Sequence, residues 1–336
     1  MIIPFFIPHS GCPHQCVFCN QKKITGRNDA DGAASVPDTI NRYLDGRHKD
    51  GPVQVAFYGG TFTALPHETQ TRYLEAVRPF IRSGKIQGLR LSTRPDAINS
   101  ETLSILKQYH VRVVELGAQS MDDQVLVRSG RGHTAADTNK AVAALRERGF
   151  SVGLQLMPGL PGDSEDIFRR SVQQVIGLKP DFVRLYPALV IKGTPLEGLY
   201  RAGRYSPLSL DAAVSTCRDA FLRFQECGVA VARMGLQPTE KLEKPGTILA
   251  GPFHPAFRQL VESSVFLDEM RQALRKSEGK IMSAVFLVNP RDVSTAIGQR
   301  RANIEILKKE FELRDVVVRG ARKTAASCGR IELLTS

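Results

Sequence analysis

The sequence predicts an α/β fold: a partial (β/α)6 barrel of the TIM type, followed by a small C-terminal α+β subdomain. Three observations predict it. Short β-branched runs alternate with amphipathic helical patterns through the first two thirds of the chain, as in a parallel sheet with right-handed crossovers. Six strand–helix units can be counted before residue 230, two fewer than a closed eight-unit barrel requires. Polar and glycine-rich segments follow the strands at their C-terminal ends, the edge that carries chemistry in barrel folds.

The candidate strands are Ile2–Pro8, Val53–Tyr58, Gly88–Ser92, Arg112–Gly117, Ser151–Met157 and Phe182–Tyr186. Between them lie helical patterns over Asp38–Leu44, His67–Ile81, Glu101–Gln108, Ala135–Glu147 and Asp166–Leu178, and one more follows over Leu210–Gln225. The pattern changes near Gly228. A strand-like run, Val229–Arg233, leads into a Gly- and Pro-containing loop and a long helical pattern, Pro255–Lys276. Strand Ile281–Val288, a helical region Asp292–Phe311 and strands Val316–Arg319 and Ile331–Leu334 complete the chain. The expected organisation is a barrel core over 1–228, a connecting segment over 229–276 packing on it, and a small basic subdomain over 277–336.

The 336 residues suit one large α/β domain with a smaller appendage. Apolar residues make up 42% and charged residues 24%, ordinary for a soluble globular protein. No apolar run is long enough to predict a membrane span. The start, MIIPFFIPHSGC, lacks a basic n-region and a small-residue cleavage site, so it reads as a strand and the expected location is cytoplasmic. The formal charge of +12 favours polyanionic partners through long-range attraction and counterion release, although a generally basic protein without a nucleic-acid role is the other reading. The absence of Trp argues against a platform on which single-stranded bases stack.

Of six cysteines, at 12, 16, 19, 217, 227 and 328, three fall within the string CPHQCVFC directly after the first strand. In a reducing compartment such a cluster points to metal rather than disulfides. The C-x3-C-x2-C spacing lets one loop wrap three corners of an iron–sulfur cube with soft thiolate ligands, leaving one iron open. An open position distinguishes a reactive metal centre from a structural one. Two other sites stay open on spacing alone: a structural zinc using His9 or His14 as fourth ligand, and an electron-transfer cluster with a distant fourth cysteine. Strand two ends in YGGTF, where Gly59 and Gly60 let a ligand approach the backbone or simply make a turn.

The cysteine loop, the aromatic Phe18 before the third cysteine and the YGGTF string together resemble the radical S-adenosylmethionine (SAM) superfamily. The strings FYGGTFTALP, STRPDAI, ELGAQSMDD, GLQLMPGLPGD and VRLYPALVIKGT run in the same order as in the radical SAM half of the elongator catalytic subunit family. GLQPTE and AGPFHPAFRQLVES, within 235–264, resemble the segment that follows the barrel there. Elongator enzymes carry a C-terminal acetyltransferase domain for which this chain has no room, so the resemblance is to a short bacterial form.

The resemblance implies a 4Fe-4S cluster on Cys12, Cys16 and Cys19, with Phe18 beside it, and SAM as the second cofactor. It implies that Gly59, Gly60 and Thr61 receive the SAM amino group. Ser92 and Arg94 are candidates for its ribose and carboxylate, since the planar guanidinium matches a carboxylate, though Arg94 also reads as a loop cap. Gln119 and Gln155 are polar positions in apolar strands, suited to ribose or adenine or to satisfying buried backbone. The MPGLPG turn at 157–162 lies where adenine is expected. Tyr186 is the catalytic candidate, placed to position substrate or quench a radical, or else packing. Cys217, Cys227 and Cys328 lack C-x2-C spacing, so no second cluster is expected. The implied chemistry is reductive cleavage of SAM to a 5′-deoxyadenosyl radical that abstracts a hydrogen atom, with electrons from an external flavodoxin- or ferredoxin-type donor.

The stretch VNPRDVSTAIGQRRANIEILKKEF resembles the core of a KH domain, in which a Gly-x-x-Gly turn between two helices clamps a nucleic-acid backbone; here the second glycine is Arg301. Residues 276–336 carry twelve Lys and Arg against seven Asp and Glu. The favoured substrate is therefore RNA, tRNA first. A small metabolite or cofactor, with the C-terminal piece as a lid, is the alternative. So is a nonenzymatic iron–sulfur or zinc RNA-binding protein, against which YGGTF speaks.

Overall fold

The first strand pairs with a segment some fifty positions away because both are short apolar runs that can bury one face and share a ladder. The computed structural model of the chain describes residues 1–7, 11–20, 32–46, 51–277, 281–321 and 331–335. The main sheet is built from β1 (Ile2–Phe6), β2 (Gln54–Tyr58), β3 (Gly88–Thr93), β4 (Val111–Gln119), β5 (Ser151–Leu156) and β6 (Phe182–Leu185). A two-residue strand, β7 (Val190–Ile191), lies outside this sheet, and β8 (Ala230–Met234) returns to it. The order is β1-β2-β3-β4-β5-β6-β8 and every pairing is parallel. The sheet thus has seven strands with β1 and β8 at its edges, a partial TIM-type barrel. The run at 229–233, read as part of a connecting segment, is the seventh strand, because it pairs in parallel with β6, with Val231 opposite Val183 and Met234 opposite Leu185, all four buried.

Helices cover the outer face. In Ala135–Glu147 the buried residues are Thr138, Ala141, Val142 and Leu145, and in Glu165–Gly177 they are Phe168, Ser171, Val172 and Val175. That spacing places one stripe on the sheet. Their starts are set by caps: Thr134 and Asp137 form a reciprocal capping box, and Ser164 accepts from the Ile167 amide at 3.3 Å. The same device, Asn99 with Thr102, opens Ser100–Gln108. Leu74, Leu89, Leu91, Leu106 and Leu116 are fully buried between the two layers.

The chain divides into two units: Met1–Ser209 with Leu222–Phe253, and Leu210–Phe221 with His254–Ser336. These limits differ from the boundaries at 228 and 277 that the sequence suggests. The physical reason lies in helix Phe257–Lys276. Its Phe266, Met270 and Leu274 form one core with Phe286, Val288, Ile304 and Leu307, so the helix is a wall of the second unit rather than a connector. In the first unit, β9 (Ile248–Ala250) pairs antiparallel with β7.

In the second unit, β10 (Ser283–Val288) lies between β11 (Asp315–Gly320), parallel to it, and β12 (Ile331–Thr335), antiparallel. The parallel β10–β11 pair needs a crossover, supplied by helices Val293–Ile297 and Ala302–Glu310. Between them Gly298, Arg300 and Arg301 have φ of 79°, 51° and 63°. Buried Asn303 pins this turn, its amide donating to the Ser263 carbonyl, the Ser263 hydroxyl and the Ala296 carbonyl at 2.9–3.0 Å. Cys217 is buried outright and its thiol is pushed up by desolvation, so it behaves as a small apolar side chain. Cys227 is exposed, and Cys328 and His9 lie outside the described residues.

Candidate active site

The cysteine loop is seated by glycines that let backbones meet. Gly11 has φ +74°, and a Cβ there would overlap the Thr61 carbonyl and lie 2.9 Å from the Leu65 amide nitrogen. The loop after β1 therefore rests directly on the YGGTF segment after β2. Cys12 Sγ lies 3.3 Å from Thr61 Oγ1. The Cys19 amide donates to the Cys16 carbonyl at 3.1 Å, closing a turn, and Cys19 packs against the apolar cluster that contains Cys16. Cys12 is exposed, Cys16 is buried and Cys19 is half-buried, and none of the three is in a disulfide. Phe18 is buried in an apolar cluster with Cys16, Val125, Met157 and Leu160, which Tyr186 and Cys19 also contact.

A second segment, residues 129–134, holds the loop from the other side. The Val17 amide donates to the Ser129 carbonyl at 3.0 Å, and Leu196 donates to the Val17 carbonyl at 2.8 Å. The His14 ring lies against Gly132, where any Cβ would collide with it. Between Gly130 and Gly132, Arg131 turns inward until it is 5% exposed. It donates to Cys16 Sγ at 3.1 Å and to the Gly117 carbonyl at 2.6 Å. Its buried Nε–H has no acceptor among the described residues. A guanidinium whose partners are a sulfur and a carbonyl keeps its charge uncompensated, which suits an anionic thiolate site. His133 sits beside it, pushed down to about 4 by burial first and then by Arg131 and Arg94, so it is neutral at pH 7.

Arg94 is buried, its Nε and Nη2 donate to Asp96 at 2.9 and 2.8 Å, Nη2 also donates to the Arg131 carbonyl, and its buried Nη1 has no acceptor among the described residues. It thereby props the segment that carries Arg131. Ser92 faces the inside of the barrel, half-buried, opposite Glu115 in the ladder. Gln119, with φ +68°, accepts from Gln155 Nε2 at 3.0 Å, so these two amides form one polar pair at the ends of β4 and β5. Gly59 has φ +93°, a conformation few other residues adopt, at the point where β2 leaves the sheet. Asp163, in the turn after β5, accepts from the Gly159 amide at 2.9 Å and is pushed up to about 6 by burial.

The inner face of the sheet carries a network that the sequence reading did not single out. Glu115 accepts from Tyr58 at 3.0 Å, pairs with Arg90 at 2.7 Å and pairs with Arg184 at 2.7 Å. Arg184 also donates to the hydroxyls of Tyr58 at 3.1 Å and Tyr186 at 3.2 Å, and its guanidinium lies 5.3 Å from the Tyr58 ring centroid. Burial, then Glu115, pushes the Tyr58 phenol up to about 12. The missed signal was plain: GLRLST and FVRL each carry a single Arg among apolar residues, and VRVVELGAQ carries Glu115 between apolar neighbours three positions after Arg112. Arg131 had a signal too, an arginine bracketed by glycines in SGRGHT.

Cys12, Gly59, Gly60 and Thr61 are thus brought to one edge of the barrel, and Cys16, Phe18 and Tyr186 share an apolar cluster on it. Among the described residues, no three His, Cys, Asp or Glu side chains converge on a single-ion position. No described helix is long and apolar enough to cross a membrane.

Comparison with known proteins gives a consistent set of relatives. Residues 6–175 match the model of the radical SAM superfamily, and residues 180–266 match a radical SAM C-terminal domain. An uncharacterized protein of Methanocaldococcus jannaschii is 32% identical over 67% of this chain and 72% of its own length. The tRNA uridine(34) acetyltransferase of Dehalococcoides mccartyi is 37% identical over 58% of this chain and 50% of its own. Elongator complex protein 3 of Danio rerio is 34% identical over 50% of this chain and 34% of its own. The chain therefore spans about half or less of these acetyltransferase and elongator relatives. Among solved structures, the archaeal Methanocaldococcus infernus Elp3 superposes with a TM-score of 0.64 at 24% identity, covering 82% of this chain and 64% of that one, which supports the fold.

Proposed function

The chain belongs to the radical SAM superfamily, and from that premise we propose that Cys12, Cys16 and Cys19 hold its 4Fe-4S cluster and that its substrate is an RNA, tRNA first. The protein is an enzyme, and the cofactors of its family are a 4Fe-4S cluster and SAM. The observation that carries the cluster assignment is the cradle: three cysteines on one loop, none in a disulfide, seated against YGGTF, with the Arg131 guanidinium on Cys16 Sγ. When bound, the cluster supplies the electron that splits SAM into methionine and a 5′-deoxyadenosyl radical.

The chain's own residues then have defined tasks. Gly59, Gly60 and Thr61 offer close-approaching backbone to the SAM amino group. Gln119 and Gln155 present amides to ribose or adenine. Ser92 faces the same interior and is assigned to ribose. Arg94, engaged by Asp96, serves by holding Arg131 in place. Phe18 and its apolar neighbours exclude water from the cysteine side. Tyr186, its hydroxyl fixed by Arg184, positions substrate. We place the protein in the cytoplasm, supplied by a flavodoxin- or ferredoxin-type donor.

The RNA assignment rests on the +12 charge and the names of the acetyltransferase relatives, together with the exposed Arg300–Arg301 turn. Anaerobic reconstitution should give about four irons per chain, and SAM should yield 5′-deoxyadenosine after reduction. Cys16→Ala should abolish both. One stoichiometric zinc in anaerobically purified protein would sink the cluster assignment. Nucleoside mass spectrometry of tRNA from a strain lacking the gene should reveal a missing modification, and an unchanged profile would remove tRNA as substrate.

A further inference from the structure

We propose that the inner floor of the barrel, where Arg90 and Arg184 converge on Glu115, binds an oxyanion of the substrate, a phosphate or carboxylate group. The inference rests on the proposed function for its place beside the SAM site and on the network's own chemistry for its ligand.

Two guanidiniums share one carboxylate, leaving one positive charge in excess in a largely buried setting. The side chains of Arg90 and Arg184 are 12% and 15% exposed, and that of Glu115 is 7% exposed. The anion is the deepest member and the cations keep access to the barrel interior. One oxygen of Glu115 accepts from Tyr58, Arg90 and Arg184, and the other lies 2.7 Å from Arg184 Nε, which makes no hydrogen bond among the described residues. Each guanidinium carries a fork of N–H donors, more than this one carboxylate can absorb. Beyond Glu115, Arg90 meets Gln54 at a long 3.5 Å and lies over the Phe182 ring, 5.3 Å from its centroid, and Arg184 spends its other donors on two phenols, which bind a guanidinium less strongly than an anion does. A site with surplus fixed donors and surplus positive charge selects an acceptor-rich anion.

The ladder puts this floor at the right place to matter. Ser92 is opposite Glu115, and Gln155 is opposite Arg184, so two assigned SAM contacts share strands and depth with the network. Tyr186 links the two directly, hydrogen-bonded to Arg184 and packed on the cluster that contains Cys16. An anionic group held by Arg90 and Arg184 would anchor the substrate below the position at which its C–H bond is attacked.

The test uses the intact chain at constant ionic strength, with inorganic phosphate, dimethyl phosphate and acetate as separate probes. Dimethyl phosphate stands for a nucleic-acid phosphodiester, inorganic phosphate for a monoester and acetate for a carboxylate. NMR line broadening should show saturable binding of at least one, and the strongest binder names the substrate class. Arg90→Gln should weaken that binding tenfold or more. Glu115→Gln, which removes the competing negative charge but keeps an acceptor, should tighten it severalfold. A purely structural ion-pair network predicts no gain in that variant. No saturable binding, or binding insensitive to both variants but lost in Arg300→Ala, would overturn the proposal. If either variant fails to fold, a wild-type crystal soaked in phosphate decides: an anion between Arg90 and Arg184 supports the site, and its absence there rejects it. Because none of these readouts needs SAM cleavage, a protein that binds no cluster would sink the radical reading without touching this one.

Discussion

The two units treat arginine in opposite ways. In the barrel unit the arginines near the chemistry are buried and committed: Arg94 to Asp96, Arg90 and Arg184 to Glu115, Arg131 to Cys16 and the Gly117 carbonyl. In the C-terminal unit Arg300 and Arg301 stand exposed on a tight turn. A desolvated guanidinium holds a fixed direction and acts at full strength on whatever it faces. An exposed one attracts any polyanion, weakly and in a salt-dependent way. Under the proposed function, the contrast divides labour between a rigid site that would select one group and a surface that would gather a long, charged molecule.

The sharpest way to break the comparison is to remove the barrel's shared anion. Glu115→Ala leaves two largely buried guanidiniums facing each other, and the expected loss is about 3–5 kcal/mol in urea unfolding. A loss below about 1 kcal/mol would mean that the network is solvated and that its geometry constrains nothing. A smaller effect concerns pH. The His133 pKa in the folded chain, about 4, lies below its usual 6.5, so the unfolded chain binds more protons between those values. Stability contributed by the neutral ring is full above pH 6.5 and is lost as pH falls toward 4. Asp163 runs the other way: raised to about 6 from 3.8, it adds stability as pH falls across the same interval. The two partly cancel in the wild type. His133→Asn should therefore flatten the acid-side loss, or even reverse it, by up to roughly 3 kcal/mol relative to wild type at pH 4. Parallel profiles for the two proteins would show that His133 is hydrated and ordinary.

The same contrast explains what was legible in the sequence. Positions whose residue type is dictated by local chemistry could be read: the three spaced cysteines, the Gly59–Gly60 pair and the alternation that lays down six of the seven parallel strands. The seventh strand was visible as a strand but not as a partner of β6, since pairing between residues as far apart as Phe182 and Ala230 leaves no local trace. Helix Phe257–Lys276 was visible as a helix, yet its unit is decided by Phe266 and Met270 meeting Phe286, a contact no periodicity encodes. Arg94 was chosen for its fork, and two of its three nitrogens are taken by Asp96 from two residues away, leaving Nη1 without an acceptor among the described residues. Arg131 and the Arg90–Glu115–Arg184 network went unread because their members lie on separate strands and a loop, with no partner nearby in sequence, and only the folded sheet collects them.

The smallest expected effect concerns the exposed turn and separates its two physical roles. Arg301 sits at φ +63°, a left-handed conformation that costs a non-glycine residue roughly 1–2 kcal/mol. Asn303 and Gly298 hold the turn in place, so the strain is retained. Arg301→Gly relieves it, offset in part by the greater freedom glycine brings to the unfolded chain, and the net gain should be about 0.5 kcal/mol in urea unfolding. The same substitution removes one cation from the surface. If that surface meets RNA phosphates, the slope of log affinity against log salt should fall by about one. Stability and RNA affinity then move in opposite directions. A more stable variant with an unchanged salt slope would mean that Arg301 touches no phosphate and that the RNA is gathered elsewhere on the basic chain.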